Sequence, residues 1–299
     1  MNRETALSEL IESVRRVEVS ASRLANDAMV GAYVTSFKGR GMDFEELREY
    51  LPGDDVRHID WNVTNRMGRP FVKRYREERE MTLILVVDVS ASGEFGSRLR
   101  TKRQLAAEVA ATLAFAAART GDKVGLLLFT SEVELYLPPA KGRRHLLRLL
   151  REILFFEPQH PGTSVGAVLK HVNHRLGHRS MVVLLTDFLQ PADHEMARAI
   201  GQTNARHDLI CLHLHDPREA ELPNLGLTTL EDAETGELVE LNLGSRRVRQ
   251  RYAETNAQRL AGLELALQRE GVDTLRLETG QPFAPRLQHF FEHRRWRRS

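Results

Sequence analysis

The sequence has few of the features that mark secreted, membrane-spanning or disulfide-stabilised proteins. Its 299 residues include a single cysteine, Cys211, so the chain cannot form an internal disulfide. No window approaches the roughly 18 to 20 consecutive apolar residues of a membrane-spanning helix, and the stretch MNRETALSEL lacks the apolar core of a secretory signal. We therefore expect a cytoplasmic protein without a membrane span, in which Cys211 serves as a small buried residue.

A strong excess of either charge is also absent. The 43 basic and 41 acidic residues leave a formal net charge of +2, which gives no overall reason to expect nucleic acid as a partner. The C-terminal HRRWRRS carries Arg294, Arg295, Arg297 and Arg298, a patch able to meet phosphate, a membrane surface or an acidic partner. We interpret it as a solvated tail, and nucleic-acid binding through it is the weakest of the functional hypotheses.

Four apolar runs predict strands that are buried on both faces. Near-continuous apolar strands are typical of a parallel sheet covered by helices. The runs are LILVVD (83–88), VGLLLF (124–129), MVVLLTD (181–187) and LICLHL (209–214). Helical segments predicted between them span about 102–119, 143–155, 165–176 and 193–205. This alternation predicts an α/β domain with a doubly wound, mostly parallel sheet over residues 81–299.

The end of this domain and the start of the chain follow different patterns. An inserted β-hairpin is expected at about 226–243, followed by a helix from Ser245 to Gly271, the strand VDTLRL and a last helix at about 282–291. Residues 1–80 predict a small separate subregion: an amphipathic helix with Leu7, Leu10 and Val14 on one face, and then a charged, Gly- and Pro-rich stretch.

Polar residues with oxygen donors follow the predicted buried strands. Asp88, Ser90 and Ser92 come at the end of the first strand, Asp187 ends the strand MVVLLT, and Thr163 lies just before a helix in PGTS. Because ligands of doubly wound sheets bind beyond the carboxyl ends of the strands, we expect these five side chains to meet there. Oxygen donors select a hard cation, so Mg²⁺ is predicted, with Mn²⁺ and Ca²⁺ as alternatives. In an extended loop the two serines would project to one side and ligate directly, while the two aspartates hold metal-bound waters.

The motif DVSAS, with a later threonine and a later TD, resembles the metal-ion-dependent adhesion site of von Willebrand factor A domains. The runs GRGMDF, LREYLPGDDVRHIDW, HDPREAELPNLG and EDAETGELVEL resemble the domain of unknown function 58 family, and the resemblance covers nearly the whole chain. Gly93 and Asn65 depart from residues common in that family, but neither position supplies a ligand. The resemblance implies a von Willebrand A-like fold and a MoxR-type AAA+ ATPase as partner, in chaperone-like maturation or activation of clients. A client carboxylate would then bind the metal.

A metal-dependent phosphoester hydrolase using Asp88 and Asp187 is the alternative from another functional class. A phosphate-accepting aspartate needs a second acid two residues later, and Ser90 stands there, so we expect a non-enzymatic role. The serines and Asp88 could also satisfy only local backbone groups. GRGMD lacks the lysine of a phosphate-binding loop, and no GxGxxG follows a strand, so nucleotide binding is not expected.

Two further groups of polar residues have structural interpretations. Asp54, Asp55, Arg57, Asp60 and Trp61 are expected to hold a loop together through ion pairs and hydrogen bonds, and this loop could also shape a docking face near the sheet. Several histidines have spacings that could bind a transition metal, but without an accompanying cysteine or carboxylate pattern we expect them to be packed or solvated. These are His171, His174 and His178 on a helix, and His213 and His215 on a strand.

Overall fold

The structure, a computed structural model, describes residues 3–37, 42–77, 80–190, 193–233 and 235–297. The strands are β1 Met42–Glu49, β2 Phe71–Glu77, β3 Thr82–Asp88, β4 Lys123–Phe129, β5 Val133–Ala140, β6 Met181–Thr186, β7 Asp208–His215, β8 Leu227–Glu231, β9 Leu238–Asn242 and β10 Asp273–Glu278. The helices are α1 Arg3–Leu24, α2 Asp27–Phe37, α3 Trp61–Met67, α4 Lys102–Arg119, α5 Arg143–Phe155, α6 Val165–Arg175, α7 His194–Arg206, α8 Pro217–Ala220, α9 Arg246–Arg269 and α10 Ala284–Arg297. None of these described helices combines the length and apolarity that crossing a membrane requires. Of the residues in the sequence motifs, Gly39, Arg40, Gly41, Glu234 and Arg298 lie outside the described ranges.

A six-stranded sheet in the order β10-β7-β6-β3-β4-β5 forms the centre of the molecule. All neighbouring strands are parallel except β5, which is antiparallel to β4. The predicted α/β class and mostly parallel sheet are therefore confirmed. Sequence reasoning missed β5, because this edge strand is only partly buried and contains Pro138 and Pro139, which are tolerated at sheet edges but rare in central strands.

Helices cover both faces of this sheet, as the double-sided burial of the strands requires. Successive residues of a strand point to opposite faces, and accordingly Leu83, Leu85 and Val87 pack in one core cluster while Ile84 and Val86 pack in another. Residues of α2, α4, α5 and α10 share the first cluster, and residues of α6, α7 and α9 share the second. The arrangement is doubly wound.

Helix α4 has local sequence features that predict both of its ends. Its alanines at 106, 107, 110, 114 and 117 are buried, and a face of small residues lets the helix approach the sheet closely. Thr101 and Gln104 form a reciprocal capping box at its first turn, and Gly121 follows it with a φ of 82°. The predicted span, residues 102–119, coincides with the observed helix.

The first 80 residues contain more regular structure than the prediction allowed. The amphipathic helix α1 is present, and Ala21 packs against Ala111 of α4 and Leu150 of α5. The prediction missed α2, α3 and the antiparallel ribbon of β1 and β2. Tyr33 of α2 is buried, and its hydroxyl donates to Asp122 Oδ2 at 3.2 Å, which ties the N-terminal helices to the sheet domain. The boundary near residue 80 stays a prediction.

The final elements follow the predicted order, with one correction in the last helix. The hairpin of β8 and β9, helix α9 and strand β10 lie where the sequence placed them. Helix α10 continues through Arg297. The interpretation of the basic C-terminus as a solvated tail is wrong for Arg294, which is 3% exposed and forms ion pairs with Asp208 and with Asp273. The guanidinium of Arg294 is buried because two carboxylates on adjacent strands pair with it.

Candidate metal centre

The candidate site lies where the parallel strands β3 and β6 end side by side. The pairing of Val87 with Leu185 brings Asp88 and Asp187 to the same edge of the sheet. The chain runs from β3 to β4 on one side and later returns to β6 on the other, so this edge is a topological switch point, where doubly wound sheets bind ligands. Both aspartates are buried, at 9% and 5% exposure.

A short 3₁₀ turn, Ala91–Glu94, positions the two serines beside Asp88. The Ser90 amide donates to Asp88 Oδ1 at 3.0 Å, and the Gly93 amide donates to the Ser90 carbonyl at 3.0 Å. The hydroxyls of Ser90 and Ser92 are 3.1 Å apart. The extended loop that we expected is therefore wrong, but the turn places both hydroxyls together by a different geometry.

Hydrogen bonds link both aspartates to hydroxyl groups. Ser92 donates to Asp187 Oδ2 at 2.8 Å, and Thr186 donates to Asp88 Oδ2 at 2.6 Å. Sequence reasoning missed Thr186, although it stands beside Asp187 in the TD pair. As the last residue of β6, Thr186 is paired with the neighbouring strand β7 and points its hydroxyl at β3. Four of the site residues, Asp88, Ser90, Ser92 and Asp187, thus form a continuous network with Thr186.

Thr163 has a different position from the other predicted ligands. It lies half-buried on the loop before α6, and the next residue, Ser164, donates its amide to the Thr130 carbonyl at 2.9 Å. This contact holds the loop against the end of β4, at the same edge of the sheet. Among the hydrogen bonds of the described residues, none joins Thr163 to the other four side chains.

A buried lysine, which sequence reasoning missed, completes the cluster. Lys102 is the first residue of α4 and is 1% exposed. Its Nζ lies 2.6 Å from Asp187 Oδ2, and it also forms an ion pair with Glu219 of α8. A cation in the first turn of a helix opposes the helix dipole. That unfavourable position was the only signal of its role in the sequence.

The electrostatics of the cluster favour an additional positive charge. Burial, reinforced by the neighbouring charge of Asp187, raises the pKa of Asp88 to about 7. Burial would lower the pKa of Lys102, but Asp187 and Glu219 raise it above its usual value. Three carboxylates and one ammonium carry a formal charge of −2 when all are ionised. A cavity of about 10 Å³ adjoins Asp88, Ser90, Lys102 and Asp187, with room for a single water-sized particle.

Comparison with known proteins places the chain in a family. The profile of the family described as "Protein of unknown function DUF58" matches residues 46–261. The uncharacterized protein Mb1516 of Mycobacterium bovis is 31% identical over 290 residues, covering 96% of this chain and 90% of its own length. The chain belongs to the DUF58 family.

Solved structures similar to this DUF58 member include two that carry descriptive names. The protein BatB from Bacteroides thetaiotaomicron has a TM-score of 0.46 at 15% identity, covering 72% of this chain and 98% of its own. The SpRpn10 VWA domain has a TM-score of 0.38 at 10% identity, covering 69% of this chain and 93% of its own.

Histidine, cysteine and carboxylate side chains alone do not form a metal-binding group in the part of this DUF58 protein that the structure describes, so the candidate site depends on its hydroxyl donors as well. No group of three or more His, Cys, Asp or Glu side chains there has a metal-binding arrangement. His213 packs its ring edge-to-face on Phe188 at 5.6 Å between centroids, and burial lowers its pKa to about 3. The expectation that this histidine is packed is confirmed. Cys211 is buried, and its burial raises the pKa of the thiol.

The charged loop near residue 55 has the predicted internal ion pairs. Arg48 holds Asp54 through two hydrogen bonds of 2.9 and 2.7 Å, and Asp60 accepts from the amides at the start of α3. Trp61 is 64% exposed. That this loop shapes a docking face near the sheet stays a prediction.

Proposed function

We propose that this DUF58 member is a non-enzymatic, cytoplasmic protein-interaction module whose docking face is the carboxyl-end edge of the sheet. In this proposal a divalent cation, Mg²⁺ in the first place and Mn²⁺ or Ca²⁺ as alternatives, binds among Asp88, Ser90, Ser92 and Asp187. Thr163 joins the set from the loop before α6, a placement that comes from the family resemblance. The observation that carries the proposal is the buried network of two aspartates and two serines at the topological switch point.

The residues present fit a hard divalent cation by their chemistry. Every donor in the network is an oxygen, and the formal charge of −2 from Asp88, Asp187, Glu219 and Lys102 matches one divalent ion. Burial and the charge of Asp187 raise the pKa of Asp88, and a bound cation would favour its ionised form. When bound, the ion would supply an electrophilic position for a carboxylate oxygen of the partner.

In this proposal the segment between β7 and the middle of α9 supplies further surface for a protein partner. Helix α9 contacts the edge through Arg259, which donates to the Phe188 carbonyl, and through Asn256, which donates to the Glu219 carbonyl. The ten residues before Asn256 extend about 15 Å further at 1.5 Å per residue. These ten residues and the hairpin of β8 and β9, which precedes them in the chain, are called the arm below. Leu227 and Leu238, at opposite ends of the hairpin, are largely exposed and available to a partner.

The geometry of Asp88 supports a non-enzymatic role over the hydrolase alternative. Asp88 is buried, and its Oδ1 accepts from the Ser90 amide while its Oδ2 accepts from Thr186. A phosphate-accepting aspartate also needs a second acid two residues later. That position holds Ser90, whose hydroxyl contacts Ser92.

The family resemblance supplies the partner in this proposal, a MoxR-type AAA+ ATPase, together with a client protein that offers a carboxylate. The test measures the affinity of the full chain for a MoxR-type ATPase from the same organism, with Mg²⁺ and with EDTA. Asp88→Ala and Ser90→Ala are the test variants. Ser131→Ala is the matched control, because Ser131 follows β4 at the same edge of the sheet and lies outside the network.

We expect affinity in Mg²⁺ to fall at least tenfold in EDTA and in both test variants, and to be unchanged in Ser131→Ala. Equal affinity in all of these conditions would refute a docking face that depends on the metal. Binding that fails even for the unaltered chain in Mg²⁺ would refute the choice of partner.

A further inference from the structure

Lys102 is held in the interior at a position where a lysine is unfavourable. Its side chain is 2% exposed, and it occupies the first turn of α4, where the helix dipole disfavours a cation. A buried ammonium is tolerated only when carboxylates surround it, because its desolvation costs several kcal/mol. Asp187 and Glu219 supply those carboxylates. The fold therefore builds one positive charge into the acidic cluster.

This built-in charge contacts the same oxygen that the proposed metal site uses. Asp187 Oδ2 lies 2.6 Å from Lys102 Nζ and accepts from Ser92 at 2.8 Å, and Ser92 in turn contacts Ser90 at 3.1 Å. The ammonium therefore lies against the network of oxygen donors and lines the cavity beside it.

The lysine and a cation held by Asp187 would use the same acceptor oxygen. Asp187 Oδ2 already accepts from Lys102 and from Ser92. A divalent cation held by that oxygen, directly or through a water, would lie close to the ammonium, and the two positive charges would repel each other. A cation at Asp187 therefore favours an ammonium that has left this oxygen.

Glu219 offers the ammonium a second position. It belongs to the single turn α8, where it also accepts from the Asp216 amide at 3.0 Å in a capping box. Because Lys102 contacts both carboxylates, it can leave Asp187 and keep Glu219. Burial raises the pKa of Glu219, although its ion pair with Lys102 opposes this shift.

We propose that Lys102 is an intramolecular cation that competes with the divalent ion for Asp187 and moves to Glu219 alone when the ion binds. This inference rests on the proposed function, since it concerns the same site. Lys102 then stabilises the metal-free fold and lowers the affinity for metal. Because Glu219 belongs to α8, this move of the ammonium also couples metal binding to α8 and to the segment that follows it, which leads into the arm.

The test measures Mn²⁺ affinity by electron paramagnetic resonance, and the midpoint of thermal unfolding in EDTA and in excess Mn²⁺. The variant Lys102→Met keeps the length of the side chain and removes its charge. Lys170→Met is the matched control, since Lys170 pairs with Glu195 on the surface of the same domain. We expect Lys102→Met to bind Mn²⁺ at least tenfold more tightly than the unaltered chain, to melt at a lower temperature in EDTA, and to regain stability in Mn²⁺. Lys170→Met should change neither quantity.

A second variant keeps the proposal testable if Lys102→Met does not fold. Lys102→Gln removes the charge and keeps a group that can donate to Asp187, so Mn²⁺ affinity should again rise at least tenfold. If Lys102 has only a structural role, both variants should bind Mn²⁺ more weakly than the unaltered chain. Weaker or equal binding by Lys102→Met would therefore overturn the competition.

The same measurements separate this inference from the proposed function. If Lys102→Met gains Mn²⁺ affinity while binding of the ATPase is insensitive to metal, the docking proposal fails and the competition stands. If neither the unaltered chain nor Lys102→Met binds Mn²⁺, both fail together.

Discussion

Asp88 provides the sharpest single test of the electrostatics at the strand ends. Replacing it by asparagine keeps the shape of the side chain and removes its titratable proton. The amide oxygen can still accept from the Ser90 amide, and the amide nitrogen can donate to the Thr186 hydroxyl, which replaces the existing bond of 2.6 Å. The variant therefore changes charge while it preserves the local hydrogen bonds.

The magnitude follows from the pKa of Asp88 in the two states. Burial and the charge of Asp187 raise this pKa from an ordinary 3.8 to about 7. The folded protein therefore binds one more proton than the unfolded chain between about pH 4 and pH 7, and the stability falls as the pH rises through that window. At about 1.4 kcal/mol per pH unit, the loss reaches about 4 kcal/mol at pH 7. Asp88→Asn avoids that loss.

The assay is urea unfolding followed by far-UV circular dichroism, in EDTA, at intervals from pH 4 to pH 8. We expect Asp88→Asn and the unaltered chain to have similar free energies of unfolding near pH 4. The variant should become progressively more stable, by up to about 4 kcal/mol, as the pH approaches 7. A difference that stays constant across this range would refute the assignment of a strongly raised pKa to Asp88.

Asp216 is the matched control, since it is also a buried aspartate at the carboxyl end of a strand. Hydrogen bonds from Ser97, Thr279 and the Arg218 amide, which outweigh its burial, lower its pKa. Its ionised form therefore stabilises the fold above about pH 4, and Asp216→Asn should lose about 2 kcal/mol or more at pH 7. The two substitutions are expected to have opposite signs.

Three further outcomes are expected. Burial lowers the pKa of His213 from 6.5 to about 3. The free energy of unfolding should therefore fall by up to about 5 kcal/mol as the pH falls through this range. In urea unfolding, His213→Phe should remove this pH dependence. Arg294→Ala leaves Asp208 and Asp273 without their shared cation, and chemical denaturation should show a loss of about 3 to 5 kcal/mol. Purified protein with Mg²⁺ should not hydrolyse p-nitrophenyl phosphate; turnover that disappears in Asp88→Asn would contradict a non-enzymatic role.

Much of the fold could be predicted because its signals are local. The runs of β3, β4, β6 and β7 are apolar at nearly every position, since strands covered on both faces have no solvent-facing side. Helix α4 combines a capping box with a buried alanine face, so its limits were predicted correctly. The ribbon of β1 and β2 gave no such signal, because more than half of its residues are charged and its pairing joins residues 22 to 35 apart in the chain.

The sequence by itself determined the α/β class and the identity of the oxygen donors at the strand ends. Parallel strands bring their carboxyl ends to one edge, so Asp88 and Asp187 had to be neighbours once β3 and β6 were adjacent. Only the tertiary structure decided what balances their charge. The contact of Lys102 with Asp187 joins residues 85 apart in sequence. It arises because α4 packs with its first turn over the ends of β3 and β6, and no local pattern encodes the angle at which a helix crosses a sheet.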